Sequence, residues 1–210
     1  MLKSFTNVQS FLDEEGVVKG EVSVFSYDYS KVNRMPAYRK KSKKDFISSY
    51  FQREVTNIEI DSITISNSET DTLPLEQKFH YNTSMPSAGE YRMVNLNLFG
   101  ALEKSPFISD NRFTNINFGC QAINTLSQVL IIPAGMKPEA LPKSINLKMP
   151  DNSIAFSRII NYDSERNMIT SRVKFEVTRT VFVAEEYPSV KDFYKKMVDL
   201  LNEPLVLKRK

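Results

Sequence analysis

The chain has few of the residues that most often perform chemistry. Its 210 residues include one cysteine, Cys120, one histidine, His80, and no tryptophan. A single cysteine forms no disulfide within the chain, so cysteine usage does not indicate an oxidising or a reducing compartment. A zinc site needs three or four ligands, and here it would consist mostly of carboxylates. We therefore expect no metal site and no cofactor.

Cys120 and His80 also lie outside the contexts that activate a nucleophile. A nucleophilic cysteine sits at a helix N-terminus or beside a histidine, whereas Cys120 begins an apolar strand and His80 lies within another. The chain has no GxGxxG, Walker-type or GxSxG motif. We predict that the chain is not an enzyme and has no catalytic residues. A pair of catalytic carboxylates stays open, because separation along the chain does not determine separation in the fold.

A strong charge excess and long apolar runs are absent too. The 28 basic and 25 acidic residues give a net charge of +3, which is small for a dedicated nucleic-acid binder. No apolar run approaches the roughly 18–20 residues of a membrane span, and residues 1–16 are too polar for a signal peptide. We expect neither a nucleic-acid partner nor a transmembrane segment. The chain is cytosolic, or it is part of a longer polypeptide whose signal lies upstream; we favour the second.

Alternation of apolar and polar side chains is the main pattern that is present, and a period of two indicates strands with one buried face. It predicts strands over residues 3–13, 17–26, 55–66, 74–84, 90–99, 120–132, 143–149, 153–162 and 168–183. In the third of these the phase of the isoleucines slips by one residue, which indicates a bulge.

Two segments carry apolar residues at helical spacing instead. The first follows Ser42, a plausible helix cap with Asp45 three residues on, and runs to about residue 53. The second starts after a cap at Ser189 and ends near Asn202, with an apolar stripe of Val190, Phe193, Tyr194, Met197, Val198 and Leu201.

These elements predict a mainly β (α+β) fold, an antiparallel β-sandwich with an N-terminal β-hairpin plus helix and a C-terminal packed helix. We divide the chain into residues 1–54 and residues 55–210. The first part is the hairpin and helix, which ends a preceding unit or packs on the sandwich, because two strands are not stable alone. The second part is the sandwich with the C-terminal helix.

Residues 27–44 combine tyrosines with basic residues, a composition that can stack on and neutralise a ligand. A loop and the polar face of a short helix explain the same composition, and we favour that explanation over a nucleic-acid site because the net charge is small. The candidate binding residues are Tyr27, Tyr29, Arg34, Tyr38 and Arg39. For a glycan or peptide ligand, Tyr91 joins the three tyrosines as a stacking candidate.

The order of several short segments resembles a known family. The segments are LDEEGVVKG (12–20), SPF (105–107) with Arg112, NFG (117–119), IPAG (132–135) through Leu141-Pro142, YPSVKDFY (187–194) and VLK (206–208). They resemble the β-rich C-terminal domain of unknown function that follows the transglutaminase-like core in bacterial envelope proteins. The resemblance covers nearly the whole chain and implies that Met1 lies within a longer polypeptide.

The same resemblance implies a cell-envelope or periplasmic location, through a signal upstream of this chain. It implies no active site here, because the catalytic Cys, His and Asp of such proteins belong to the preceding core. We therefore expect a non-catalytic accessory module that scaffolds that core or binds a polypeptide or glycan. The alternative is a free-standing carbohydrate- or peptide-binding β-sandwich.

Overall fold

The structure is a computed structural model that describes residues 1–51, 57–100 and 104–209. Its strands, in chain order, are β1 (Leu2–Leu12), β2 (Val17–Tyr27), β3 (Ile58–Ser66), β4 (Leu75–Ser84), β5 (Ser87–Ala88), β6 (Tyr91–Val94), β7 (Ile116–Asn117), β8 (Ala122–Ile131), β9 (Met136–Ala140), β10 (Ile145–Lys148), β11 (Ile154–Asp163), β12 (Met168–Val177), β13 (Val181–Phe182) and β14 (Leu205–Arg209). The helices are α1 (Asp28–Lys40), α2 (Lys43–Phe51) and α3 (Tyr187–Leu201), with a 3-10 turn at Ala184–Glu186. The predicted mainly β fold with a C-terminal helix is confirmed.

A large sheet of eight strands, in the order β10-β11-β12-β8-β1-β2-β4-β3, organises the fold. Neighbouring strands in this sheet are antiparallel, with the exception of β1 and β8. These two run parallel, from the Leu2–Ala122 pair to the Phe11–Ile131 pair. Strands from residues 2–84 make one half of the sheet, and strands from residues 122–177 make the other. We call the parallel β1–β8 junction the seam.

The N-terminal hairpin supplies two inner strands of this sheet. The predicted strands 3–13 and 17–26 are confirmed as β1 and β2, and the Asp13 carboxylate closes their turn by accepting the N–H groups of Glu15 and Val17. Gly20 lies where the two strands approach closely, because a Cβ there would be 2.4 Å from the Gln9 carbonyl oxygen. The predicted domain boundary at residue 54 lies in 52–56, outside the described residues.

The two faces of the large sheet differ sharply. On β1 the side chains of Val8, Ser10 and Leu12 are buried, whereas the alternate side chains Gln9 and Phe11 are exposed. Alternation of this kind means that one face packs and the other meets solvent. The packed face is called the inner face here, and the other is called the outward face.

A small sheet and three helices cover the inner face. The small sheet, in the order β5-β6-β14-β9, contributes Val94, Met136, Leu205 and Leu207 to the same apolar cluster as Leu12. Helix α2 contributes Phe46 and Ile47 to that cluster. Helix α3 buries its predicted stripe, and all of the stripe except Val198 belongs to a second cluster over the β10–β12 half of the sheet.

Several local predictions are confirmed. Ser42 caps α2, since its hydroxyl accepts the Asp45 N–H at 3.1 Å and donates to the Asp45 carboxylate at 2.7 Å. The register of β3 against β4 shifts between Asp61 and Thr64, as expected for a bulge. The apolar residues 205–207 form the start of β14, a strand that the sequence did not predict.

Other local predictions are wrong. Residues 28–40 form α1 rather than a loop, although Pro36 lies inside the helix. The predicted strand 168–183 ends at Val177, because the Thr178 N–H bonds to Ser153 and the chain then pairs with β7 in a separate two-stranded sheet. Helix α3 begins at Tyr187 and not after Ser189, since the Glu186 carboxylate accepts the Val183 N–H and closes the turn before it.

Candidate functional site

A cleft of about 480 Å³ lies on the inner face at the seam, and we call it the seam cleft. Strands β1, β8, β11 and β12 form its floor, and residues from α1, α2, α3 and 97–100 form its walls. A volume of this size suits a small organic ligand. The cleft exists because the seam brings the two halves of the chain into one sheet.

Arg34 of α1 is the main charged group in the wall of the seam cleft. Its Nη1 donates to the Oε1 atom of Gln77 at 2.5 Å, and its guanidinium lies 5.3 Å from the ring centre of Tyr50 and 5.6 Å from that of Phe51. Its Nε and Nη2 atoms have no hydrogen-bond partner among the described residues. Burial lowers the pKa of Arg34, while the electrostatic effect of Tyr50 raises it. Such a cation is fixed in place, and within the described ranges two of its nitrogen atoms keep their donor capacity for a ligand.

The floor of the seam cleft is polar where the seam crosses it. Ser4 and Asn124 are register partners, and the Ser4 hydroxyl donates to the Asn124 side-chain oxygen at 2.6 Å. The Asn124 amide N–H groups have no partner in the described part of the chain and can donate into the cleft. Thr6, the next inner-face residue of β1 after Ser4, also lines the cleft. Aromatic and aliphatic side chains surround this patch: Phe51, Leu98, Phe99, Leu126, Phe156, Val173, Phe175, Met197 and Leu201.

Among the described residues, the charged side chains that line the seam cleft are both positive. Arg34 and Lys104 line it, and no aspartate or glutamate is among the described residues that do so. These two cations favour an anion as the ligand of the cleft.

A second cleft, of about 660 Å³, lies between α1 and the segment 68–74, and we call it the helix-1 cleft. Tyr27, Tyr29 and Arg39 line it together with Asp28 and Asp71. Tyr29 is 58% exposed, so its ring face is open to a ligand. Two tyrosines, an arginine and two carboxylates make this a mixed surface with no single charge.

Lys31 fixes the wall of the helix-1 cleft. Its side chain is buried, and its ammonium group donates to the carbonyl oxygens of Asn67 at 2.7 Å, Thr70 at 2.5 Å and Leu73 at 2.9 Å. Three bonds from one charged group hold the 67–73 turn against α1. Its contacts make Lys31 a structural residue.

The predicted binding residues fall into separate places. Tyr27, Tyr29 and Arg39 share the helix-1 cleft, whereas Arg34 lines the seam cleft. Tyr38 packs edge-on against Phe46, with 5.7 Å between the ring centres.

Tyr91 lies apart from the other tyrosines, on β6 of the small sheet. The ammonium group of Lys208 is 5.5 Å from its ring centre. The structure therefore brings together Tyr27 and Tyr29 of the four predicted stacking tyrosines.

Cys120 and His80 are far apart. His80 lies level with Glu21, Gln9 and Val129 on the three successive strands beside it, while Cys120 precedes the first residue of β8. Three strand spacings and at least seven residues of strand separate them, about 14 Å across the sheet and about 23 Å along it. His80 is half-exposed and lies 3.5 Å from the Glu21 carboxylate.

Neither a cluster of metal-ligating side chains nor a membrane-spanning helix occurs in the described ranges. No group of three or more His, Cys, Asp or Glu side chains there is placed to hold a metal ion. The helices in the same ranges are each too short or too polar to span a bilayer.

The sequence did not point to the seam cleft. Ser4, Thr6, Lys104 and Asn124 were not predicted as site residues, because nothing in their local sequence distinguishes them. Arg34 was predicted only as part of a Tyr- and Arg-rich segment. Ser4 and Asn124 do not stand out within their strands, because the inner faces of β1 and β8 also carry the polar residues Ser10 and Gln128.

The fold described above defines a mainly β module with a helix packed on its sheet. Residues 90–207 match the family described as a domain of unknown function with solved-structure structure, DUF3858. The match spans more than half of the chain, and the chain belongs to this family. It covers α3, the first three residues of β14 and one half of the large sheet. No curated protein and no solved structure shows a significant match.

Proposed function

We propose that this chain is a non-catalytic accessory module of a transglutaminase-like cell-envelope protein, and that it binds the catalytic core that precedes it. The order of segments from LDEEGVVKG to VLK supports the transglutaminase context. The open outward face of the large sheet is the observation that carries the binding role.

The centre of the outward face has the make-up of a protein interface. An uncharged stripe follows the seam, and we call it the outward stripe: Phe5, Asn7, Gln9 and Phe11 of β1 with Ile123, Ser127, Val129 and Ile131 of β8. None of these side chains is buried, and Phe11 and Ile131 are register partners that are 47% and 50% exposed.

Charged residues flank the outward stripe on the strands to either side. They are Lys19 and Glu21 on β2, and Arg172, Lys174 and Glu176 on β12. An uncharged centre with a charged rim is the usual arrangement at interfaces between proteins.

The test is a titration of the catalytic core with this chain, each prepared separately. The account predicts binding that Phe11→Lys weakens by about 30-fold, because a charge at the centre of an apolar interface costs about 2 kcal/mol or more. Ile159→Lys is the matched control, since Ile159 is 54% exposed on the same face but lies on β11, outside the stripe. Equal weakening by both variants would contradict the assignment of the stripe.

Two other outcomes would contradict the proposal itself. One is an upstream reading frame without a transglutaminase-like core. The other is amide hydrolysis or transfer by the isolated chain that disappears in Cys120→Ala.

A second candidate is a free-standing glycan- or peptide-binding module that uses the helix-1 cleft. Tyr27 and Tyr29 in one open cleft favour it, since exposed aromatic rings stack on sugar and peptide surfaces. Binding on a glycan or peptide array that Tyr29→Ala abolishes would favour this candidate over the accessory module.

A further inference from the structure

We propose that the seam cleft binds a small organic carboxylate whose remaining part is apolar, with Arg34 as the anchor of the carboxylate. The site lies on the inner face of the sheet, opposite the outward stripe. A result at either site therefore leaves the proposal for the other intact.

The open edge of Arg34 determines the type of anion. Because Nη1 is held by Gln77, the Nε and Nη2 atoms remain as two parallel donors on one side of the guanidinium. A carboxylate accepts such a pair through both of its oxygens. The rings of Tyr50 and Phe51 restrict the guanidinium plane, so little ordering is needed when the anion binds.

No carboxylate among the described residues balances the charge of Arg34, which gives the site a reason to bind an anion. Moving a guanidinium out of water is unfavourable unless hydrogen bonds or an opposite charge compensate. In the described part of the chain Arg34 has one neutral hydrogen-bond partner, Gln77, and no carboxylate partner. Lys104, at the same cleft, adds a second positive charge.

The remaining surface selects the body of the ligand. The Asn124 amide can donate to a carboxylate oxygen or to another acceptor on the ligand. Phe51 of α2 and Val173 and Phe175 of β12, which are only partly buried, offer an apolar surface to the rest of the molecule. A chain or ring of about ten carbon atoms fits a cleft of about 480 Å³.

The experiment titrates the purified chain with 4-phenylbutyrate and with its neutral counterpart, 4-phenylbutyramide, by calorimetry. We expect a Kd of about 0.1–1 mM for the acid, as suits twelve non-hydrogen atoms. The amide should bind about tenfold more weakly, because it cannot accept two charge-assisted bonds. The Arg34 Nε–H signal in an NMR spectrum should shift with the acid and not with the amide.

Variants test the anchor. Arg34→Gln should remove the preference for the acid over the amide, and Arg39→Gln should keep it, since Arg39 lies on the same helix but lines the other cleft. Should Arg34→Gln fail to fold, Arg34→Lys retains the charge but lacks the two-donor edge, and Lys104→Gln changes an exposed residue. Both should weaken binding of the acid by severalfold.

Three results would overturn the proposal. The first is that 4-phenylbutyrate does not bind at about 5 mM. The second is that the acid and the amide bind equally well. The third is that Arg34→Gln still prefers the acid. Tighter binding of phenyl phosphate than of 4-phenylbutyrate would overturn the assignment to carboxylates.

Discussion

Replacing Arg158 by alanine should lower the free energy of unfolding by about 3 kcal/mol. Arg158 is 3% exposed, on the inner face of β11 beneath the end of α3. Its Nε and Nη2 donate to the Lys143 carbonyl at 3.0 and 2.8 Å, its Nη1 donates to the Leu200 carbonyl, and its Nη2 lies 2.5 Å from the Glu203 carboxylate.

The guanidinium of Arg158 therefore joins the end of α3 to Lys143, in the segment before β10. Removing it leaves the partly buried carbonyls of Lys143 and Leu200 without their donor and creates a cavity under the helix, and both effects are destabilising. Urea unfolding followed by circular dichroism measures the change, and the slope of the transition should stay constant.

Two variants test whether the loss of stability comes from the hydrogen bonds of Arg158 and not simply from the removal of a charge. Glu203→Gln should cost about 1 kcal/mol or less, because Glu203 is 42% exposed and solvent replaces its partner. Arg172→Ala should be nearly neutral, since Arg172 is exposed on the neighbouring strand. A loss in Arg158→Ala no greater than in Arg172→Ala would show that α3 is not held in this way.

Replacing Phe79 by alanine should lower the free energy of unfolding by about 3–5 kcal/mol. Phe79 is fully buried on β4, with its ring 5.3 Å from that of Phe51 and 5.7 Å from that of Phe99. Those two rings also line the seam cleft. The cavity should therefore loosen the cleft wall as well as the core.

A thermal melt measures this effect, with a fall in Tm of about 10 °C expected for a chain of this size. Phe113→Ala is the matched control, because Phe113 is 93% exposed and its loss should change stability by about 0.5 kcal/mol or less. Equal losses in the two variants would contradict the placement of Phe79 in the core.

The sequence predicted the elements with clean periodicity and missed those that depend on distant partners. The α3 stripe and the β1–β2 hairpin repeat regularly, so burial of one face is visible in the sequence. Helix α1 contains Pro36 and has few apolar residues, so its stability comes from contacts such as the three bonds of Lys31 to a turn 36 to 42 residues away.

The seam could not be predicted, for a related reason. The pairing of β1 with β8 joins residues about 120 positions apart, and alternation within a strand does not identify its neighbour. The seam cleft depends on this pairing, because Ser4 and Asn124 meet only across it. Strand 168–183 shows the opposite failure, since a regular alternation to Val183 hid the point at which the chain leaves the sheet.

Hydrogen exchange at the seam tests the central claim most directly. The claim is that both halves of the chain form one sheet through β1 and β8, which creates the seam cleft on one face and the outward stripe on the other. Amides of residues 4–10 and 124–130 should then exchange with the same free energy as those of β2 and β12, equal to that of global unfolding. Exchange of the β1–β2 amides at a free energy several kcal/mol below that of β8 and β12 would show that the two halves open independently, and it would contradict the claim.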